Sequence, residues 1–162
     1  METLLAAAKV LADTLRARGE TIAVAESSAG GLIAAALLAQ PGASAFFLGG
    51  AVVYTRPAGK GLLGLEPADI AGIRPSSEPY ALLKARRVRE RLGATWGLAE
   101  TGAAGPTGNR YGDAPGHSCA GLVGPVELSR TLETGTDDRV ANMRAFAAAA
   151  LALLAEALTA GG

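Results

Sequence analysis

The stretch Thr21-Ile22-Ala23-Val24-Ala25-Glu26-Ser27-Ser28-Ala29-Gly30-Gly31-Leu32 changes character twice within a few residues. Thr21 to Ala25 is short, apolar and partly β-branched, the composition of a strand buried on both faces. Glu26 to Gly31 is polar, then glycine-rich, and Leu32 to Ala39 is an Ala/Leu run closed by Pro41-Gly42, which predicts a helix. Strand, tight loop, helix is the opening half of an α/β unit.

The rest of the chain extends this pattern. Upstream, Leu4, Ala8, Leu11 and Leu15 fall on one helical face, with Lys9, Asp13 and Arg16 off it and Gly19 as the stop. Downstream, Phe46 to Tyr54 predicts a strand, and Arg56 to Pro75 an irregular stretch with short helical turns between Pro57, Pro67 and Pro75. Ser77 as N-cap with Pro79 in the first turn predicts a helix through Tyr80 to Leu92. Thr95 to Thr101 reads as a second buried strand opening into a long polar loop, Gly102 to Gly116. His117 to Val123 and Glu127 to Glu133 read as a hairpin turned at Gly124-Pro125, and Asp138 to Leu158 as a closing helix. Strands alternating with helices, then a hairpin, predict a three-layer α/β/α sandwich on a mixed, mostly parallel sheet, one domain over 1–162.

Composition narrows the function. The chain has 162 residues, 15 Lys+Arg against 15 Asp+Glu, one His and one Cys. Zero formal charge removes the long-range positive field of a general nucleic-acid binder. One Cys and one His exclude a Cys-cluster or multi-histidine metal centre, so no metal and no cofactor is expected. The longest apolar run, Ala145 to Ala155, is 11 residues, short for a bilayer crossing. The N-terminus carries Lys9, Asp13, Arg16 and Arg18 rather than a secretory apolar segment. A cytoplasmic protein without membrane or nucleic-acid partners is the expectation; the Ala-rich last helix permits a homodimer without requiring one.

Three groups of residues invite chemistry. Glu26 to Gly31 aims backbone N–H groups and a helix start at one point past a strand end, where an anion is stabilised, and Ser27 and Ser28 add hydroxyls. It lacks the Gly-Lys-Ser/Thr ending of a P-loop, and a tight βα turn with a serine cap fits the same letters. Thr101-Gly102-Ala103-Ala104-Gly105-Pro106-Thr107-Gly108 spaces glycines so that a ligand approaches the backbone closely. Parallel strands end on one sheet edge, so these two loops are expected to share a cleft. Ser44, Tyr54, Thr55 and Lys60 form the third group, with a Lys or Tyr as the base for a serine nucleophile.

Other residues read more plainly. His117 would need a nucleophile elbow, and Glu26-Ser27-Ser28-Ala29-Gly30 lacks the first glycine of G-x-S-x-G. Cys119 and Trp96 read as core, and the run Lys84 to Arg91 as a solvated face of its helix.

Ala25-Glu26-Ser27-Ser28-Ala29-Gly30-Gly31 resembles the A-E-S-C/S-T-G-G signature of the CinA C-terminal domain, the nicotinamide mononucleotide deamidase family. The likeness continues in order. Pro41 to Phe47 resembles the family's G-S-S segment, Gly50 to Tyr54 its G-x-V-x-Y strand, and Ser77-Glu78-Pro79 its V-S-E-P. Thr101 to Gly108 is similar to its S/T-G-x-A-G-P-x-G loop, Pro115-Gly116 to its P-x-G turn, and Gly135 to Arg139 to its G-D-R segment. Ala29 stands in place of the signature Thr. Lys60 lies one position beyond the family's Lys, whose place Gly59 takes, and His117 stands where the family has a small residue or Thr.

The resemblance implies a three-layer domain that hydrolyses the carboxamide of nicotinamide mononucleotide, or a related pyridine nucleotide, to the acid and ammonia. It implies Ser44 as the preferred nucleophile, with Ser27, Tyr54 and Lys60 activating or orienting. Substrate contacts would come from Ser28, Gly30, Gly31, Thr101, Gly102, Ala104, Gly105 and Arg139. The alternatives are a CinA-like nucleotide-binding or partner-binding domain without catalysis, and a hydrolase that uses His117.

Overall fold

In a computed structural model, which describes residues 1–161, five strands form one sheet in the order β2-β1-β3-β4-β5. The strands are β1 (Ile22–Glu26), β2 (Phe47–Val52), β3 (Trp96–Ala103), β4 (His117–Val123) and β5 (Glu127–Glu133). β1 runs parallel to both β2 and β3, and β4 and β5 return antiparallel. The helices are α1 (Glu2–Arg18), α2 (Leu32–Leu38), α3 (Arg56–Leu63), α4 (Pro67–Ile70), α5 (Glu78–Leu92) and α6 (Arg139–Ala160).

The period-2 alternation of β1 builds the two outer layers. Ile22 and Val24 point into a core shared with α1, α2 and α6, together with Trp96, Leu98, Ala120 and Leu122. Ala23 and Ala25 point to the other face, into a smaller core with α3 and α5 that includes Leu63, Ala85, Val88 and Ala99. The sheet and both its helical layers are those the alternation of elements predicted.

Three segments differ from expectation. β3 runs two residues past Thr101, because Gly102 and Ala103 pair with Ser118 and His117 of β4. β2 is shorter than the expected Phe46 to Tyr54, covering Phe47–Val52, and its register against β1 shifts by one residue between Phe47 and Gly49. The stretch after Arg56 holds a two-turn helix, α3, because Thr55 accepts the Ala58 N–H at 3.2 Å and Pro57 sits in the first turn. The short α4 opens with a capping box, Glu66 N–H donating to the Asp69 carboxylate at 2.8 Å.

Two features position the site. The first is the small-residue face beneath α5. A Cβ at Gly97 would collide with the Ala85 carbonyl, and one at Gly121 would stand 2.7 Å from Ala81 C and Leu82 N, so α5 lies almost on the strands. The second is α6, whose 22 residues are apolar enough, by length and composition, to cross a membrane. Here Phe146, Ala147, Leu151, Leu154 and Leu158 fill the larger core, with Asp138 capping the helix start.

Candidate active-site cleft

β1 and β3, being parallel, end on the same sheet edge, and a cleft of about 700 Å³ opens there. Ser27, Thr101 and Gly102 from the two strand ends line it, with Lys84 from α5. Tyr54 to Pro57 with Pro67, Ile70, Ala71 and Ile73 supply one wall, and Asn109, Arg110 and Tyr111 another. All three tyrosines of the chain, Tyr54, Tyr80 and Tyr111, face this space. So do Arg56 and Arg110, and among the described residues no Asp or Glu lines it.

The loop after β1 is organised by two buried glutamates. Glu26, 1% exposed, turns its carboxylate onto the start of α2, accepting N–H groups from Gly31 at 3.1 Å, Ile33 at 2.9 Å and Ala34 at 2.9 Å. Glu100, fully buried in β3, accepts Ser27 N–H at 3.0 Å, Ala29 N–H at 2.8 Å and the Ser28 hydroxyl. Burial pushes the Glu26 carboxyl upward, the three amide donors pull it back, and the nearby Glu100 charge adds to the rise.

The expected anion cradle is therefore filled by the protein itself. The Ser28 hydroxyl is turned to Glu100, Gly31 N–H to Glu26, and Gly30 N–H to the Ser27 carbonyl at 3.1 Å, so these donors are taken within the protein. The glycines of the second loop likewise serve packing. The space a side chain would take at Gly102, Gly105 and Gly108 is held by the carbonyls of His117, Asp137 and Asp113. Ala104 and Gly105 offer their own carbonyls to Asn142 Nδ2, at 2.8 Å, and to Arg139. Of the residues expected to touch substrate, Thr101 and Gly102 lie in the cleft and Arg139 stands at its rim, donating to the Tyr54 hydroxyl at 3.4 Å.

The four residues expected to be catalytic are not brought together. Ser27 and Tyr54 line the cleft. Ser44 lies in a 3₁₀ turn, Ala43–Ala45, just before β2, and β2 runs parallel to β1. It is exposed at the opposite edge of the sheet, about 15 Å away at the usual strand rise. Within one chain it cannot share a reacting centre with Ser27. Lys60 follows the solvent side of α3 and pairs with Glu66 at 3.6 Å, both largely exposed.

The buried cation of the cleft is Lys84, which is 1% exposed. Its Nζ donates to the Glu100 carbonyl at 3.1 Å and the Val53 carbonyl at 3.5 Å, and lies 5.7 Å from the centre of the Tyr80 ring. Desolvation lowers its pKa to about 8, against the opposing pull of the Glu100 and Glu26 charges. The expectation of a solvated face fails at this position. Ala81, Lys84, Ala85 and Val88 make the i, i+3, i+4, i+7 stripe that α5 buries, and that spacing was the signal for a buried lysine. Glu100 announced itself similarly, as a lone charge inside the apolar run Trp96 to Ala103.

His117 serves a different contact. Its ring nitrogens bond the Glu133 carboxylate and, at 2.7 Å, the Ser76 carbonyl, so it is not in hydrogen-bond reach of Ser27, Ser28 or Ser44. Burial opposes its charge, and Glu133, the Ser76 carbonyl and Asp113 outweigh that, raising its pKa. Beside it, Arg74 binds Asp113 at 2.9 Å and the Tyr111 carbonyl at 2.7 Å, fastening the Asn109-to-Asp113 wall to the segment before α5. Cys119 and Trp96 are buried, as expected.

Comparison with known proteins places this arrangement among relatives. The family model for the CinA C-terminal domain matches residues 5–158. A CinA-like protein of Salinibacter ruber is 42% identical over 142 residues, which is 88% of this chain and 34% of the relative. A CinA-like protein of Synechocystis is 44% identical over 118 residues, 73% of this chain and 28% of the relative. The chain thus spans about a third of the length of the curated relatives it matches. Among solved structures, a competence-damaged protein (CinA) superfamily protein from Klebsiella pneumoniae superposes with a TM-score of 0.89 at 27% identity, covering 96% of this chain and 98% of that one. A competence/damage-inducible protein from Agrobacterium tumefaciens gives 0.87 at 28% identity, covering 96% and 95%.

Proposed function

The chain belongs to the CinA C-terminal domain family, and on that premise we propose that it is a cytoplasmic amidohydrolase acting on nicotinamide mononucleotide or a related pyridine nucleotide. One observation carries this. The cleft lining brings together three tyrosines, two arginines, a buried lysine and Ser27, without a lining carboxylate among the described residues. Tyrosine faces suit a flat pyridinium ring, whose positive charge they attract. Arg56 and Arg110 suit a phosphate, the anion that paired guanidinium donors recognise best. The volume lies in the range of small-molecule sites.

Amide hydrolysis also needs a nucleophile and a proton path to the departing ammonia. Ser27 takes the first role in preference to Ser44, because Ser27 lines the cleft and Ser44 lies at the opposite sheet edge. Tyr54, held at the rim by Arg139, orients the substrate. The reaction consumes only water, and neither cofactor nor metal is invoked.

A second possibility, a CinA-like nucleotide-binding domain without turnover, is favoured by the remoteness of Ser44 and the surface pairing of Lys60. Ammonia release from nicotinamide mononucleotide by the purified protein separates the two. Turnover that disappears in Ser27→Ala supports the amidohydrolase. Binding seen by thermal shift, with no ammonia above a blank, supports the binding domain.

A further inference from the structure

The cleft wall formed by Asn109, Arg110 and Tyr111 is fastened from behind, outside the cleft. We propose that His117, as an imidazolium, is the positioning residue that clasps this wall, and that loss of its proton releases the wall and weakens nucleotide binding as pH rises. The effect on binding rests on the nucleotide assignment of the same cleft; the clasp itself does not.

The ring is bonded at both nitrogens. Nε2 meets the Ser76 carbonyl at 2.7 Å, and Nδ1 meets the Glu133 carboxylate. A carbonyl and a carboxylate only accept, and a neutral imidazole has one N–H, so the two bonds together require both nitrogens to carry protons. A third oxygen, Asp113 Oδ1, stands 3.6 Å from Nε2. His117 is 7% exposed, so little water is at hand to replace a lost partner.

The ring joins two segments that both border the cleft. Ser76 lines it and, among the described residues, is the only non-glycine residue with a positive φ, 54°, a conformation that persists where its partners impose it. The other segment is internally tied. The Asn109 side chain accepts the Tyr111 N–H at 3.0 Å and the Asp113 N–H at 3.1 Å, and donates to the Asp113 carboxylate at 2.8 Å. That piece, which carries Arg110 and Tyr111 to the cleft, is anchored by Arg74 to the Asp113 carboxylate and the Tyr111 carbonyl. Arg74 also reaches the Ser76 carbonyl at 3.5 Å, so Ser76 and the wall share two cations, Arg74 and His117.

Every element packed around the ring contributes a titratable or charged group. These are Glu133 of β5, Asp113 and Tyr111 of the wall, Arg74 of the segment before α5, Glu78 at the start of α5 through Thr131, and Cys119 of its own strand. With His117 charged, two cations face three carboxylates. Without that charge Arg74 faces them alone, and a ring lone pair is turned onto an oxygen. Burial opposes the charge, and Glu133, the Ser76 carbonyl and Asp113 outweigh it, so the proton is held above the ordinary 6.5. The clasp is therefore complete below pH 6.5 and is lost as pH rises through the raised value.

The chain has one histidine, so imidazole nitrogen NMR reports this ring alone. In the free protein the titration midpoint should lie above 6.5, and Glu133→Gln should lower it. Protection of the amides at positions 109–113 against hydrogen exchange should fall as the wild type crosses that midpoint, and should be low and independent of the midpoint in His117→Gln. Protection that stays level through the midpoint, or a midpoint at or below 6.5, overturns the clasp. Calorimetry with nicotinic acid mononucleotide then tests the consequence. From below the midpoint to above it, wild-type affinity should fall about fivefold more than that of His117→Gln, the lower end of common site-to-site couplings. The Gln variant serves as the reference because Lys84, which titrates at about 8, lines the same cleft in both. By reciprocity, saturating nucleotide should raise the imidazole midpoint by about 0.7 pH unit, the same fivefold. A histidine that only supports the fold would leave the midpoint unmoved by nucleotide, and that result overturns the coupling. Should His117→Gln fail to fold, Glu133→Gln, altered at a largely exposed side chain, takes its place: its loss of protection must then occur at lower pH than in the wild type. Absence of nucleotide binding at every pH condemns the nucleotide assignment instead, and the exchange profile of the free protein still decides the clasp.

Discussion

The loops that follow β1 and β3 leave the sheet at the same edge, yet they spend their polar groups in opposite ways. After β1, the amides of Ser27, Ala29 and Gly31 are taken by Glu100 and Glu26, so the protein's own carboxylates occupy these donors. Beyond β3, the chain returns in the Asn109-to-Tyr111 wall, which turns Arg110 and Tyr111 toward an open cleft. A glycine-rich loop at a helix start is an anion site only while no carboxylate of the protein reaches it first. Here the positive groups that meet a ligand are side chains on the walls, and the glutamates hold the floor rigid.

The largest effect expected from breaking this contrast is at Glu100. Glu100→Ala strips the acceptor from two amides and a buried hydroxyl and removes a charge beside Lys84. A loss of about 3–5 kcal/mol in urea unfolding is expected. Next is the pH dependence of Lys84. The unfolded chain keeps its proton to 10.5, whereas the folded protein releases it at about 8, so the unfolded state binds more protons between the two. Wild-type stability, relative to Lys84→Met, should therefore rise across that window by up to about 3 kcal/mol.

A smaller effect sharpens the role of the open walls. Arg56→Ala with Arg110→Ala should weaken nicotinic acid mononucleotide about ten- to hundredfold in calorimetry, and nicotinic acid riboside, which lacks the phosphate, hardly at all. The smallest effects belong to Ser44→Ala and Lys60→Ala. Both side chains are exposed away from the cleft, so stability should stay within about 0.5 kcal/mol and ammonia release within about twofold.

The comparison also explains what the letters of the sequence carried. The layers were legible because they rest on periodicity: Ile22 and Val24 against Ala23 and Ala25, and Leu4, Ala8, Leu11 and Leu15 along one helix face. That the loops after β1 and β3 meet at one edge followed from parallel pairing alone. The assignment of donors did not follow. Whether an amide faces a ligand or a carboxylate depends on Glu100, a residue 73 positions from Ser27, and no local pattern encodes that meeting. Ser44 was suggested by its place in the family-like segment and Lys60 from one position beyond the family's Lys, and the structure sets them apart from the cleft because one lies before its strand, at the opposite sheet edge, and the other on the solvent side of its helix. Lys84 was readable from the Ala81, Ala85, Val88 stripe, but the arginines that follow it made the whole run look solvated.

The most direct measurement is a crystal structure with nicotinic acid mononucleotide, the product of the proposed reaction, bound. The account predicts its pyridine ring among Tyr54, Tyr80 and Tyr111, its phosphate at Arg56 and Arg110, and its carboxylate beside Ser27 and Lys84, with Glu26 and Glu100 still holding the loop amides. Density for the phosphate on the amides of Gly30 and Gly31, with Glu26 displaced, would contradict it.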